Sequence, residues 1–298
     1  MLKNPSVESG AVELPERITI VGLGIMGASL ALALKARGYT GMITGVARTD
    51  ATCASALARG AVDAATTDLR TGLAEADLVV LATPARLLID QIKVCGEICK
   101  DGAVITDMGS TKSAIVAAMN GLPARLSAVG GHPMCGKEKA GIDAAEAGLY
   151  VGAPWIVTPT DRSNDDALAM VRALASFVGA RSREIAFADH DRLLAYASHL
   201  PYALSVALVT ATDHFGASRP EVWEVMAGGF RDTSRVSASD ETMWTDILLT
   251  NSGPLLAAIR DAQFALDQLG ALIERGDEAG LRAALGAAAR ARRSHYPG

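Results

Sequence analysis

Six short stretches of this 298-residue chain hold residue types that can do chemistry. The first is Gly22-Leu23-Gly24-Ile25-Met26-Gly27, which follows the apolar run Ile18 to Val21 and opens a helical pattern. In that setting each glycine has a separate task. Gly22 permits the tight turn, Gly24 lets the backbone approach a pyrophosphate, and Gly27 lets the helix pack against the strand. The new helix presents unsatisfied N–H groups and a positive dipole end to an anion. Gly22, Gly24, Ile25, Met26 and Gly27 are therefore candidate contacts of a dinucleotide. Thr83, just past the apolar run Leu78 to Ala82, is assigned with them.

Twenty residues beyond Gly27, the tip of the second predicted strand reads Val46-Ala47-Arg48-Thr49. A carboxylate at this position holds the ribose 2′-hydroxyl of NAD. Alanine removes the charge that would repel a 2′-phosphate, and Arg48 and Thr49 can bind one by charge-assisted hydrogen bonds. The expected cofactor is NADP, with NAD as the other possibility. Asp50 is expected to cap the following helix.

Four further stretches are more than a plain dinucleotide domain needs. Asp107-Met108-Gly109-Ser110-Thr111-Lys112 and Gly130-Gly131-His132-Pro133-Met134 each close a predicted strand, at the sheet end that faces the ligand crevice in open α/β folds. A hydroxyl at Ser110 and an imidazole at His132 suit removal of a hydroxyl proton while hydride leaves the same carbon. Ser198-His199-Leu200-Pro201-Tyr202 lies in a helical pattern. Gly229-Phe230-Arg231-Asp232-Thr233-Ser234-Arg235 precedes Trp244 and offers guanidinium groups, which grip carboxylates at two points. Cys95 and Cys99 are one helical turn apart, but no His or Cys pair completes a zinc set, so no metal is expected.

The elements that must position these residues follow from periodicity. Strands are predicted at Ile18 to Val21, Met42 to Val46, Leu78 to Ala82, Ala103 to Thr106, Ala128 to Val129 and Trp155 to Val157. Helices are predicted at Met26 to Arg37, near Ala51 to Arg59, and from about Thr111 to Met119. Fully apolar strands alternating with helices indicate a parallel sheet covered on both faces. After about Ile185 the pattern is helical throughout: His190 to His214, Glu221 to Val225, Thr242 to Thr250, Pro254 to Ile273 and Glu278 to Arg292. The fold class is α/β: a Rossmann-like dinucleotide-binding domain (1–183) followed by an all-helical substrate and dimerisation domain (184–298). Many alanines favour close helix packing, so a homodimer is expected.

Composition narrows the function classes. With half the residues apolar and a fifth charged, the chain can bury a core, unlike a disordered one. Twenty-eight basic against 33 acidic residues give a net charge of −5, which predicts neither a nucleic-acid nor an anionic-membrane partner. The longest apolar stretch, Ala195 to Thr212, contains Ser198, His199, Pro201 and Tyr202 and makes a poor membrane span. Met1 to Arg17 lacks an apolar core and a cleavage site, and reads as a frayed tail rather than a secretory signal. Four scattered cysteines read as reduced thiols, which fits the cytoplasm.

The elements GLGIMG, DMGSTK, GGHPMCGKEKAG, DHDRLLAYASHLPY and GFRDTSR followed by MW occur in that order from residue 17 to about 250. In this the chain resembles the prephenate and arogenate (cyclohexadienyl) dehydrogenases of tyrosine biosynthesis. The resemblance implies that His132 accepts the proton of the ring 4-hydroxyl and that Ser110 hydrogen-bonds both. It implies that Arg235 binds a substrate carboxylate, that His199 lies in the cleft, that Trp244 walls it, and that Asp191 belongs to a polar network near the arginine. The substrate is then arogenate or prephenate, oxidised and decarboxylated to a phenol. Tyr202 stands where many members have a second histidine, which leaves the choice between the two substrates open.

Ordinary uses stand beside these roles. Ser110 can cap the next helix, His132 and His199 can be satisfied core histidines, and Arg231 reads as a solvated charge. Lys112, Lys137 and Lys139 read as surface or supporting residues, Trp223 and the methionines as core, and His190, His214 and His295 carry no assigned role. Two other readings share the glycine loop: a dehydrogenase of the β-hydroxyacid or imine-reductase type, and a non-catalytic NADP-binding sensor. The first places a catalytic lysine, or no histidine, in its helical part, whereas the last lysine here is Lys139.

Overall fold

A computed structural model describes residues 13–136 and 141–296. Most of the expected N-terminal tail, together with Lys137 and Lys139, lies outside the described residues. The end of that tail is held: Met42 N–H donates to Glu16 O (2.7 Å) and the Tyr39 hydroxyl to Pro15 O. Frayed backbone was expected up to Arg17, yet Arg17 opens a strand.

The order is β1 (Arg17–Val21), α1 (Ile25–Ala36), β2 (Met42–Val46), α2 (Asp50–Ala58), β3 (Ala64–Thr66), α3 (Leu69–Leu73), β4 (Leu78–Leu81), α4 (Ala85–Ile98), β5 (Val104–Asp107), α5 (Ser113–Asn120), β6 (Ser127–Pro133), β7 (Pro154–Pro159), α6 (Asp165–Phe177), β8 (Arg181–Glu184) and α7 (Phe187–Leu194). The strands form one eight-stranded sheet in the order β3-β2-β1-β4-β5-β6-β7-β8. Alternation along β4 shows why its run is wholly apolar. Leu78 and Val80 join a cluster with Leu30 and Leu34 of α1 and Val171 of α6; Val79 and Leu81 join another with Leu88 and Ile92 of α4 and Ile115 of α5. A strand covered on both faces needs no polar side.

The sheet is not parallel throughout. β6 and β7 pair antiparallel, with His132 opposite Ile156. The described part of their connection holds only a short 3-10 turn, Ile142–Ala144, and no crossover helix, which a parallel return requires. Two strands lack a sequence signature: β3 has three residues, and β8, Arg-Ser-Arg-Glu, lies exposed at the sheet edge. Thr49, not Asp50, caps α2, its hydroxyl accepting from Thr52 N–H at 3.2 Å. Asp50 is the first helical residue.

The chain divides into two compact units. The first runs to Leu194 and also takes in Ala238–Asn251, which contains α10 (Glu241–Thr250); the second comprises Ala195–Ser237 and the chain from Ser252 onward. Within the second unit, a π turn at Ala195–His199 leads into α8 (Leu200–Gly216), followed by α9 (Gly228–Ser234), α11 (Ser252–Glu274) and α12 (Glu278–His295). The residues 221–225, expected helical, hold only a 3-10 turn, Pro220–Trp223. Trp223 is 42% exposed rather than core, edge-on to Phe230 at 6.0 Å. Of the methionines, Met108 and Met119 are buried, but Met42 and Met243 are exposed. By length and composition alone, the helical run Phe187–Gly216 is long and apolar enough to cross a membrane. His199 and Ser205 within it are buried polar residues, as in a helix of a folded domain.

Candidate active site

Three features of the glycine turn follow from backbone alone. Gly22 adopts φ +98°, and a Cβ there would lie 2.7 Å from Ala82 O. A Cβ on Gly27 would approach Gly22 O to 2.0 Å, so α1 can begin this close to β1 only with glycine at that position. Gly24, by contrast, is exposed and faces open space. It is the N-cap of α1 and contributes no side chain, so the N–H groups of the first turn have no side-chain cap. An open glycine cradle beneath uncapped amides fits a pyrophosphate. Ile25, Met26 and Thr83 border it half-buried, and Thr83 donates its hydroxyl hydrogen to Gln91 Oε1 at 2.5 Å. The Tyr150 hydroxyl ties the turn down through Met26 O (2.6 Å). At the tip of β2, Ala47 is buried and Arg48 and Thr49 are exposed.

β5 and β6 carry the second part. Asp107, fully buried at the end of β5, uses both oxygens: Oδ1 accepts from Gly131 N–H of β6 (2.9 Å), and Oδ2 accepts from Gly109 N–H (2.7 Å) and Lys112 Nζ (2.5 Å). Lys112 is itself wholly buried, not at the surface. Its ammonium also donates to Gly109 O (2.9 Å) and Thr111 O (3.0 Å). Removing two charges from water costs several kcal/mol per ion, and the pair is tolerable because every donor is used. The pair locks the 107–112 loop, with half-buried Ser110 at its centre, to the strand that carries His132.

His132 is 7% exposed. Its Nδ1 lies 2.8 Å from His190 Nε2, and His190 Nδ1 lies 2.8 Å from Asp191 Oδ1. Asp191 closes the chain against α5. Oδ1 accepts from Lys112 N–H and Oδ2 from Ser113 N–H, both at 2.7 Å, so a carboxylate from α7 caps α5 and Ser110 does not. Burial pulls the Asp191 carboxyl upward, but hydrogen bonds from His190, Ser113 and Lys112 outweigh it and hold the pKa below the usual value. Burial depresses His190 and keeps it neutral. His190 had no expected role; its adjacency to Asp191 was the one signal in the sequence.

Trp244 lies far along the chain yet belongs to this unit. Its helix, α10, is fastened by Arg86 Nε to Asp246 Oδ1 (2.5 Å) and by Thr111 with Thr250 (2.8 Å), and Asn251 Nδ2 donates to Asp191 O (2.8 Å). In the second unit, His199 ends the π turn and is buried, as is Tyr202 one turn into α8. Arg235 is exposed at the start of a 3-10 turn, and Arg231 is exposed and paired with Asp232.

An open glycine cradle on a Rossmann-like sheet, with a hydrogen-bonded histidine along the sheet from it, defines a dinucleotide-dependent dehydrogenase. Comparison with known proteins narrows the class. Residues 30–184 match the family model of the prephenate dehydrogenase nucleotide-binding domain, and residues 187–287 that of the prephenate dehydrogenase dimerization domain. A prephenate dehydrogenase of Bacillus subtilis is 32% identical over 89% of this chain and 72% of its own length. Among solved structures, a prephenate dehydrogenase from A. aeolicus in complex with hydroxyphenyl propionate and NAD+ superposes with a TM-score of 0.88 (31% identity, 96% of this chain, 99% of the other). Synechocystis arogenate dehydrogenase gives 0.80 (34% identity, 94% and 99%). The chain belongs to the prephenate dehydrogenase family. That membership disfavours both the β-hydroxyacid or imine-reductase reading and the non-catalytic sensor.

Proposed function

We propose that the chain oxidises and decarboxylates arogenate, prephenate or both, yielding tyrosine or 4-hydroxyphenylpyruvate in tyrosine biosynthesis, with NADP preferred over NAD. The observation that carries the reading is His132: buried near the C-terminal end of β6 and backed by a hydrogen-bonded His190–Asp191 pair. When bound in the glycine cradle, the oxidised nicotinamide supplies a hydride acceptor. His132 takes the proton of the ring 4-hydroxyl as that carbon is oxidised, and Ser110 hydrogen-bonds the same hydroxyl. The ring carboxylate then leaves as carbon dioxide. Its bonding pair enters the ring, the new carbonyl becomes a phenolate, and the proton held by His132 returns to that oxygen to give the phenol. Aromatisation supplies the driving force, so the protein's tasks are to position, to deprotonate and to bind charge.

In this reading Arg235 binds a substrate carboxylate, His199 and Tyr202 contact substrate, Trp244 walls the cleft, and Asp191 acts through His190. Gly22, Gly24, Ile25, Met26, Gly27 and Thr83 hold the dinucleotide, and Arg48 and Thr49 take a 2′-phosphate. Residues 1–183 form the dinucleotide domain and 184–298 the substrate and dimer domain of a cytoplasmic homodimer. Support for NADP is the exposed Arg48 and the absence of a carboxylate at Ala47. Thr49 already serves as the α2 cap, so Arg48 carries most of that preference. The test is a kinetic comparison of both substrates with both cofactors. NADP should give the higher kcat/KM, and Arg48→Ala should narrow the ratio. A ratio favouring NAD overturns the cofactor assignment, and no turnover of either substrate overturns the function.

A further inference from the structure

Resting on that functional reading, we infer that His190 is a positioning residue that selects the tautomer of His132, leaving the lone pair of His132 on Nε2. The argument is one of donors and acceptors along three side chains. Asp191 is a carboxylate and has no proton to give. Its two oxygens already face backbone N–H groups of Lys112 and Ser113, so the hydrogen between Asp191 Oδ1 and His190 Nδ1 belongs to the imidazole. Neutral His190 then carries its lone pair on Nε2. At 2.8 Å from it, His132 Nδ1 is left as the donor. A neutral imidazole that donates through Nδ1 accepts through Nε2. The polarity of the whole chain is thus set by α5: two amides at its N-terminus hold the carboxylate, and the carboxylate orients both rings.

The rings meet at 5.1 Å between centroids and 58° between planes, a geometry of edge contact rather than stacking. With both histidines buried, water does not compete for these hydrogens. The same arrangement stabilises the imidazolium that forms when His132 takes a proton. Its Nδ1–H points at a neutral acceptor, and a negative charge stands behind that acceptor. Lys112, whose ammonium is committed to Asp107, Gly109 and Thr111, leaves only its backbone N–H to the chain.

The test reads the tautomer directly. Nitrogen-15 NMR of the full chain labelled at its five histidines, at neutral pH, with His132→Asn used to assign the signal, should show His132 protonated at Nδ1 and unprotonated at Nε2. The opposite tautomer overturns the proposal, and this readout needs no substrate. Turnover is the second arm. His190→Leu removes the acceptor and should lower kcat by roughly tenfold to a hundredfold while dinucleotide affinity stays level. His190→Gln keeps an acceptor oxygen at similar reach and should recover most of the loss. A His190→Leu enzyme within twofold of the parent kcat, or a Gln variant no better than Leu, overturns the proposal. If the leucine variant does not fold, the NMR signal and the glutamine variant decide. If the parent turns over neither substrate, the functional reading fails and the tautomer is judged by NMR alone.

Discussion

The two units bury their apolar side chains to very different degrees. In the first, helices on both faces of the sheet enclose two clusters, and whole strands such as Leu78–Leu81 are inaccessible. In the second, α12 buries no residue, α11 buries Leu255 and Ala258, and Phe264, Leu266, Ile273 and Leu285 are each more than half exposed in the single chain. Large apolar side chains left this exposed are a feature of interfaces. These fall within the part of the chain that matches a dimerization domain. The first unit therefore encloses its own apolar core and its own polar site, whereas the second leaves large apolar side chains exposed in the single chain.

Five changes would break or sharpen that contrast. His132→Asn should lower kcat by about 10²–10⁴-fold with dinucleotide affinity intact; near-normal turnover in a steady-state assay would remove His132 from the chemistry. Lys112→Met strands the Asp107 charge inside the first unit and should cost about 3–5 kcal/mol in denaturant unfolding, far more than an exposed lysine would. Arg235→Gln should raise KM for substrate by about tenfold to a hundredfold with kcat little changed, from the loss of a charge-assisted contact; an unchanged KM would count against its role. Phe264→Asp should shift sedimentation toward monomer at micromolar concentration, and the melting temperature of the variant should lose its dependence on protein concentration. A dimer as tight as the parent's would show that the exposed face of α11 is not the contact.

The smallest effect is on pH dependence. His190 has a depressed pKa in the folded chain, so below its ordinary value near 6.5 the unfolded chain binds a proton that the folded one refuses. Stability therefore falls as pH drops below about 6.5. Asp191 is depressed as well, and its contribution is lost only at lower pH, as the folded carboxyl protonates. The melting temperature should drop between pH 7 and 5.5, and His190→Gln should flatten that drop. A parent protein with no drop in that range would contradict the buried neutral imidazole.

Much of the first unit was legible from residues alone, because its signals are local. Met42 to Val46 reads as a strand and is one, and the glycine turn requires Gly22 and Gly27 for reasons of backbone clash. The misreadings share a cause. The reversal of β7 depends on what the intervening segment does not contain, β8 is a polar edge strand, and Trp223 looks apolar whether covered or bare. Lys112 reads as a surface charge because its partner, five residues away, is recognisable only once the 107–112 loop has closed on itself.

Six of the eight strands, the dinucleotide turn and the candidate base His132 were legible in the sequence, since each rests on neighbours within a few residues. Tertiary structure alone decided that residues 190 and 191 stand behind 132, that α10 joins the first unit, and that a carboxylate on α7 caps α5. The His132–His190 and Ser113–Asp191 contacts span 58 and 78 residues of chain, and the Arg86–Asp246 pair that fastens α10 spans 160. A hydrogen bond across that separation leaves no periodic trace, because only packing of the helices onto the sheet brings donor and acceptor within 3 Å.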